Sequence, residues 1–246
     1  VVVGGAGLSG IQTAGEIAEY RDEHNAPIDV SLVEGLDEVF PGNDAELQGA
    51  LRSRLETRDV GIRTGEFISQ ADAEAVYLGG DEDDPGEELP YDVLIWTGGI
   101  TGHDEVHGVE LEQDDRSHRV HAESDFRSSD ERVFAVGDAA LVDQGEDTVA
   151  PPTAQAAWQA AEVAGENVAR AVEGRPLKTW RHDDKGTVVS VGDDAVAHGV
   201  KLPGLGKLPV DVFGGLAARN LKKAIAARWI ADVSSMRDAL NAWESM

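Results

Sequence analysis

The chain contains no cysteine. That excludes disulfides, thiolate metal centres and any flavin mechanism that passes electrons through a redox-active cysteine pair. Basic residues are scarce: 21 Lys and Arg stand against 47 Asp and Glu, a formal net charge of -26 over 246 residues. A free-standing nucleic-acid binder needs the opposite balance, because contacts to phosphates supply most of such affinity. No apolar run reaches the ~20 residues of a spanning helix and no leader-like segment opens the chain, so the expected compartment is the cytoplasm. The excess acid is spread along the whole sequence, with arginine commoner than lysine. High salt would screen that self-repulsion, and a salt-rich cell interior is the expected setting. The runs Asp81-Glu82-Asp83-Asp84 and Asp114-Asp115 read as solvated acidic loops rather than cation sites.

What is present is a globular composition, 41% hydrophobic, in a length that suits one large domain or two ordinary ones. Val1 to Val3 read as a strand buried on both faces, and the chain is expected to continue upstream because it opens within that strand. Gly5-Ala6-Gly7-Leu8-Ser9-Gly10 follows as a GxGxxG loop, then a helix with Ile11, Ala14, Ile17 and Ala18 at helical spacing. A second strand, Ile28 to Val33, ends in Glu34. In this pattern Gly5 permits a tight turn, Gly7 lets the backbone approach a pyrophosphate, and Gly10 lets helix and strand pack closely. The phosphates would sit at the helix N-terminus. Glu34 would accept hydrogen bonds from the ribose hydroxyls and repel a 2′-phosphate, which favours NADH over NADPH.

Further on, residues 44 to 58 are expected to be helical, with Leu47, Leu51 and Leu55 four apart. Strands are expected near 61 to 69 and 74 to 78, and an acidic turn over 79 to 90. Tyr91 to Thr97 reads as a buried strand ending in Gly98-Gly99, which is either a ligand loop at a sheet's carboxyl end or an ordinary turn. The polar stretch 101 to 131 is expected to hold a domain boundary; its His103, His107, His118 and His121 lack the pattern of a metal site. Arg132 to Val136 reads as a strand leading into Gly137-Asp138-Ala139-Ala140. That turn fits the second flavin contact of two-dinucleotide flavoproteins, or else a buried turn whose aspartate caps the next helix. Pro151-Pro152-Thr153 opens a helix that runs to about Glu173 and is closed by Gly174 and Pro176.

These motifs together resemble type II NADH dehydrogenase, the single-subunit, non-pumping NADH:quinone oxidoreductase. VVVGGAGLSG is similar to that family's NADH loop, LIWTGG (with Thr97, Gly98 and Gly99) to its nicotinamide-side loop, and VFAVGDAA to its second FAD motif. Ala154-Gln155-Ala156-Ala157-Trp158-Gln159 is similar to its AQxxxQ motif, which lies against the flavin and the quinone pocket. The resemblance implies that Gln155 and Gln159 shape the quinone side of the flavin. It also implies two departures. The segment with the family's first, FAD-binding GxGxxG does not precede this loop, so the chain resembles the C-terminal portion of such an enzyme and lacks the N-terminal FAD segment. Where the family carries glutamate near the nicotinamide, this sequence has Gln12, which can hydrogen-bond a carboxamide but not act as a base.

From Val212 to Ala231 the tail carries Arg219, Lys222, Lys223 and Arg228 and no acid. Leu221, Ile225, Trp229, Met236, Leu240 and Trp243 recur at mostly helical steps, an amphipathic pattern broken once. Such a helix either docks on the protein's own core or lies in a membrane interface; the resemblance favours the membrane, peripheral on the inner face. The expected architecture is α/β: a Rossmann-like NADH domain over 1–112, the second half of an FAD domain over 113–180, and a membrane-facing tail over 181–246. The expected activity is hydride transfer from NADH to FAD and electron transfer on to a quinone; a homodimer stays open. The alternatives are a soluble NADH-dependent reductase of an electron-carrier protein, or a non-catalytic NADH-binding fragment. A sulfide:quinone reductase is excluded by the missing cysteines.

Overall fold

The computed structural model describes residues 1–80, 84, 86–202, 206–207 and 210–243. Asp81 to Asp83 of the acidic run therefore lie outside the described residues. The chain forms two compact units, residues 1–98 with 185–246, and residues 99–184.

The first unit begins with β1 (Val2–Gly4), whose three residues are all buried. Helix α1 (Leu8–His24) leads to β2 (Val30–Glu34), and α2 (Ala45–Thr57) leads to β3 (Val60–Thr64). Asn25 closes α1 in the left-handed region (φ 46°), and Asp44 caps α2 by accepting the Glu46 N–H at 2.9 Å. An antiparallel meander follows: β4 (Ile68–Ala71), β5 (Ala75–Gly79) and β6 (Gly86–Pro90). The chain then returns as β7 (Leu94–Trp96). The parallel sheet runs β3-β2-β1-β7, so β1 lies between two neighbours and is apolar throughout.

Two expectations fail here. The acidic segment 79–90 is not all turn, because Gly86 to Pro90 pairs with β5. Nor is the 91–97 strand buried: β7 is three residues long, lies at the sheet edge, and leaves Trp96 60% exposed. A short apolar run reports strand propensity but not whether the strand is central or marginal.

In the second unit, α3 (Asp104–His107) is followed by β8 (Val120–Ala122), a 3-10 turn (Gly137–Ala139), β9 (Ala140–Gly145), β10 (Thr148–Val149) and α4 (Ala154–Val172). β9 pairs parallel with β8 and antiparallel with β10. The strand expected over 132–136 is absent apart from an isolated bridge, Arg127 to Phe134. Its neighbourhood is held instead by local polar bonds, with Asp130 accepting from the Arg132 N–H and side chain, so the paired strand starts at Ala140. The core of this unit combines Phe126 and Trp180, whose ring centroids are 5.5 Å apart, with Ala156, Ala160 and Ala164 of α4. Buried Asn167 ties α4 to the returning chain. Its amide donates to the Asp125 and Lys178 carbonyls and accepts the Lys178 N–H.

The chain then re-enters the first unit as β11 (Thr187–Val191) and β12 (Asp194–His198), a hairpin, followed by β13 (Lys201–Leu202), β14 (Gly206–Lys207) and β15 (Val212–Gly214). Helices α5 (Leu216–Val233) and α6 (Met236–Trp243) complete it. Val189, Val191 and Val196 share one core with Ile11, Leu47, Leu51 and Leu55. Each such fully buried aliphatic side chain contributes about 1.5–3 kcal/mol. The approach is close: a Cβ on Gly15 of α1 would lie 2.7 Å from the Gly192 nitrogen. The sequence divides most simply at 112/113 and 180/181, whereas the compact units meet at 98/99 and 184/185. The difference arises because the tail's hairpin completes the core of a unit begun some two hundred residues earlier, a contact that chain order does not display.

Candidate functional site

The glycine loop connects β1 to α1. Gly5 has φ +97°, a conformation that side-chain-bearing residues rarely adopt, and a Cβ there would lie 2.9 Å from the Gly98 nitrogen. A Cβ on Gly10 would stand 1.8 Å from the Gly5 carbonyl oxygen, so any larger residue would push the helix off its loop. The Thr97 hydroxyl lies 2.9 and 2.8 Å from the carbonyl oxygens of Gly4 and Gly5 and donates into that pair. Gly7 is the N-cap of α1, with no side-chain cap, and nothing lies within 4 Å of where its Cβ would be. The first-turn N–H groups, with exposed Leu8 and Ser9 above them, thus face open space where a helix N-terminus favours negative charge.

Glu34 sits beside this opening. Its carboxylate accepts the Ala6 N–H at 2.7 Å and the Leu36 N–H at 3.0 Å, one on each oxygen. A carboxylate oxygen has more than one acceptor site, so both can still receive hydroxyl protons. Leu36 and Phe67 are exposed, and the Phe67 ring lies over Gly35, next to Glu34. Neither belongs to a motif of the sequence. The available signal was their apolar character just past strands β2 and β3, where ligands bind in open α/β sheets. Gln12 donates its amide to the Ser190 hydroxyl at 3.2 Å, and Ser190 also accepts from Lys222 of α5. Burial pushes the Lys222 ammonium below the usual lysine range, against the opposing charge of Glu16.

In the second unit Gly137 has φ +67° and opens the 3-10 turn, leaving Asp138 and Ala139 exposed. A hollow beside the turn is lined by Gly137, Asp138, Thr153, Ala157, Ala160 and Trp180. The capping alternative for Asp138 does not hold, since Thr153 caps α4 by accepting the Ala156 N–H at 3.2 Å. On α4, Ala154 is exposed, Gln155 half-buried and Ala156 buried. Gln159 is bound at both ends of its amide, donating to the Asp183 carbonyl at 2.8 Å and accepting the Asp183 N–H at 3.0 Å. Gly99, in the same unit, has φ +108° with open space at its Cβ position.

The residue most clearly missed is Arg119. It is 8% exposed and donates through Nε to the Asp138 carbonyl and through Nη2 to the Ala140 carbonyl, both at 2.7 Å. Burial pushes its pKa down, with Asp138 and Asp114 opposing. It was hidden in a polar stretch, and the one signal was its place directly before Val120-His121-Ala122. Of the histidines, the His107 and His118 rings lie tilted against each other with centroids 4.1 Å apart, and His103 pairs with Glu105. Among the described residues no cluster of three metal-ligating side chains occurs.

Residues 1–161 match the family model described as pyridine nucleotide-disulphide oxidoreductase. The chain is 25% identical over 230 residues to a type II NADH:quinone oxidoreductase of Haemophilus influenzae, covering 88% of this chain and 50% of that protein. It is 26% identical over 241 residues to the protein of that name from Staphylococcus saprophyticus, covering 93% and 56%. The chain thus spans about half the length of these curated relatives. Among solved structures, NDH2 from Plasmodium falciparum in complex with NADH aligns with a TM-score of 0.73 at 14% identity, covering 98% of this chain and 64% of that one. The sulfide:quinone oxidoreductase of Aquifex aeolicus aligns at 0.71 and 14% identity, covering 96% and 59%. At such identities the structures show a shared fold.

Proposed function

The chain belongs to the pyridine nucleotide-disulphide oxidoreductase family, and on that premise we propose that it supplies the NADH site and part of the FAD site of an NADH:quinone oxidoreductase. One observation carries the reading. The uncapped N-terminus of α1 opens over Gly7, where no atom stands within 4 Å of its Cβ position, and the Glu34 carboxylate is anchored beside it. Phosphates fit the first element and ribose hydroxyls the second. Leu36 and Phe67 offer exposed apolar faces to a base. Gln12, held by Ser190, would orient the carboxamide.

In the second unit the exposed Asp138 would accept hydroxyls of the flavin's ribityl chain, and Gly137 leaves room for the approach. Bound FAD would supply the redox chemistry, taking hydride from NADH and passing electrons to a quinone. Gln155 would face the quinone side, while Gln159, through its two bonds to Asp183, would position the segment that follows. The tail would combine the two roles expected of it. Ala218 and Leu221 dock into the first unit, whereas Trp229, Val233, Met236 and Leu240 are each at least half exposed and would enter a membrane interface. Among the described residues no helix is long and apolar enough to cross a membrane.

The test compares electron acceptors for the FAD-loaded, full-length protein with NADH as donor. A soluble short-chain quinone should be reduced at a rate at least comparable with ferricyanide. Reduction of a small electron-carrier protein with no reduction of quinone would replace this reading with a carrier reductase.

A further inference from the structure

The second unit buries a positive charge directly behind an exposed turn. Arg119 precedes β8, and the parallel register that sets Val120 against Ala140 fixes it beside the start of β9. Both of its hydrogen bonds go to backbone carbonyls, of Asp138 and Ala140; the Asp138 and Asp114 carboxylates favour its charge, but among the described residues neither forms an ion pair with it. An arginine at 8% exposure is held in an environment where an uncompensated charge is costly. Its bonds also set the turn's polarity. A trans peptide carries C=O and N–H on opposite edges. Drawing the Asp138 carbonyl toward Arg119 therefore turns the Ala139 N–H the other way, and Ala139 is exposed.

We propose that Arg119 is a positioning residue that readies the Gly137–Ala139 turn for an anion, a phosphate of the dinucleotide FAD. It aims the backbone donor outward, and its buried positive charge favours the phosphate from behind the turn. The proposal rests on the reading of this turn as an FAD contact. It adds that the affinity gained here is electrostatic and originates behind the turn, from a residue that need not touch the ligand.

The experiment uses the full-length protein stripped of flavin. Affinities for FAD and for riboflavin, which has no phosphate, are measured by fluorescence for wild type, Arg119→Lys, Arg119→Gln and Gly137→Val. Arg119→Gln, which keeps donors but no charge, should weaken FAD by about tenfold or more while changing riboflavin little. Arg119→Lys should stay within about threefold of wild type, since the charge remains. Equal FAD affinity in Arg119→Gln and wild type overturns the proposal. So does a parallel loss of riboflavin, which marks a purely structural role. If Arg119→Gln does not fold, a folded Arg119→Lys that loses FAD as severely as Gly137→Val overturns it, and near-normal binding supports it. Gly137→Val tests the underlying reading separately. If that variant holds FAD normally, the turn is not an FAD contact, whatever Arg119 does.

Discussion

Glu34 is bonded to the glycine loop beside it. By accepting the Ala6 and Leu36 N–H groups, it fixes the backbone at the loop's entrance and sets a negative charge there before any ligand arrives. A ribose with two free hydroxyls can donate to that charge, whereas a 2′-phosphate meets like-charge repulsion. Glu34→Ser should therefore weaken NADH by about tenfold and narrow or reverse the preference against NADPH, as a hydrogen bond to a charged group is lost. Isothermal titration with both nucleotides checks this, and equal wild-type affinities would remove Glu34 from the site. Asp130 gives a second test at this scale. The Arg132 side chain, and then its N–H, hold the Asp130 carboxyl down at about 2. A depressed folded value means that its stabilisation is complete above the ordinary carboxylate value and is lost as pH falls through about 2. An NMR titration should place the Asp130 midpoint near 2, and in Asp130→Asn no such transition should remain; a wild-type midpoint at the ordinary value of 3.8 contradicts the pairing. Residues of this kind differ in how legible they are. Glu34 and the glycines stand at fixed offsets from a strand and a helix. Arg119 is recognisable only once β8 and β9 are seen side by side.

Among the elements, long periodic helices were the most legible. α1, α2 and α4 lie where their apolar spacing and caps place them. The short strands were not, because three residues carry too little pattern: β7 turned out marginal, and the 132–136 segment gave way to local bonds around Asp130. The tail was half legible. Its break falls between α5 and α6, but its first turns bury Ala218 while Trp229, Val233, Met236 and Leu240 stay exposed, a division that depends on the β12–β15 surface rather than on the helix's own pattern. Deleting the whole tail would strip the docked part too, so the informative variant is Trp229→Gln, Leu240→Gln and Trp243→Gln combined. With anionic lipid vesicles, its cosedimentation should fall by at least about tenfold, given the apolar area removed from the interface. Its NADH affinity should stay unchanged. If the variant still sediments with vesicles, the exposed face is not the membrane contact.

At the scale of the whole molecule, two units each bring one proposed nucleotide-binding feature, and the first is assembled from two separate stretches of the chain. The glycine loop was legible because strand, loop, helix and acid follow one another within about thirty-four residues. The membership of residues 185–246 in the same unit was not, since Val189, Val191 and Val196 could have packed anywhere until α1 and α2 were in place. In the proposed function, electrons enter from NADH and leave to a quinone through one flavin. Anaerobic stopped-flow spectroscopy of the FAD-loaded, full-length protein tests it most directly, following flavin absorbance through two successive mixings. Mixing with NADH should bleach the flavin in a single turnover, and a second mixing with a soluble quinone should restore it with matching stoichiometry. Flavin that NADH does not bleach, or bleached flavin that the quinone does not restore, would contradict the account.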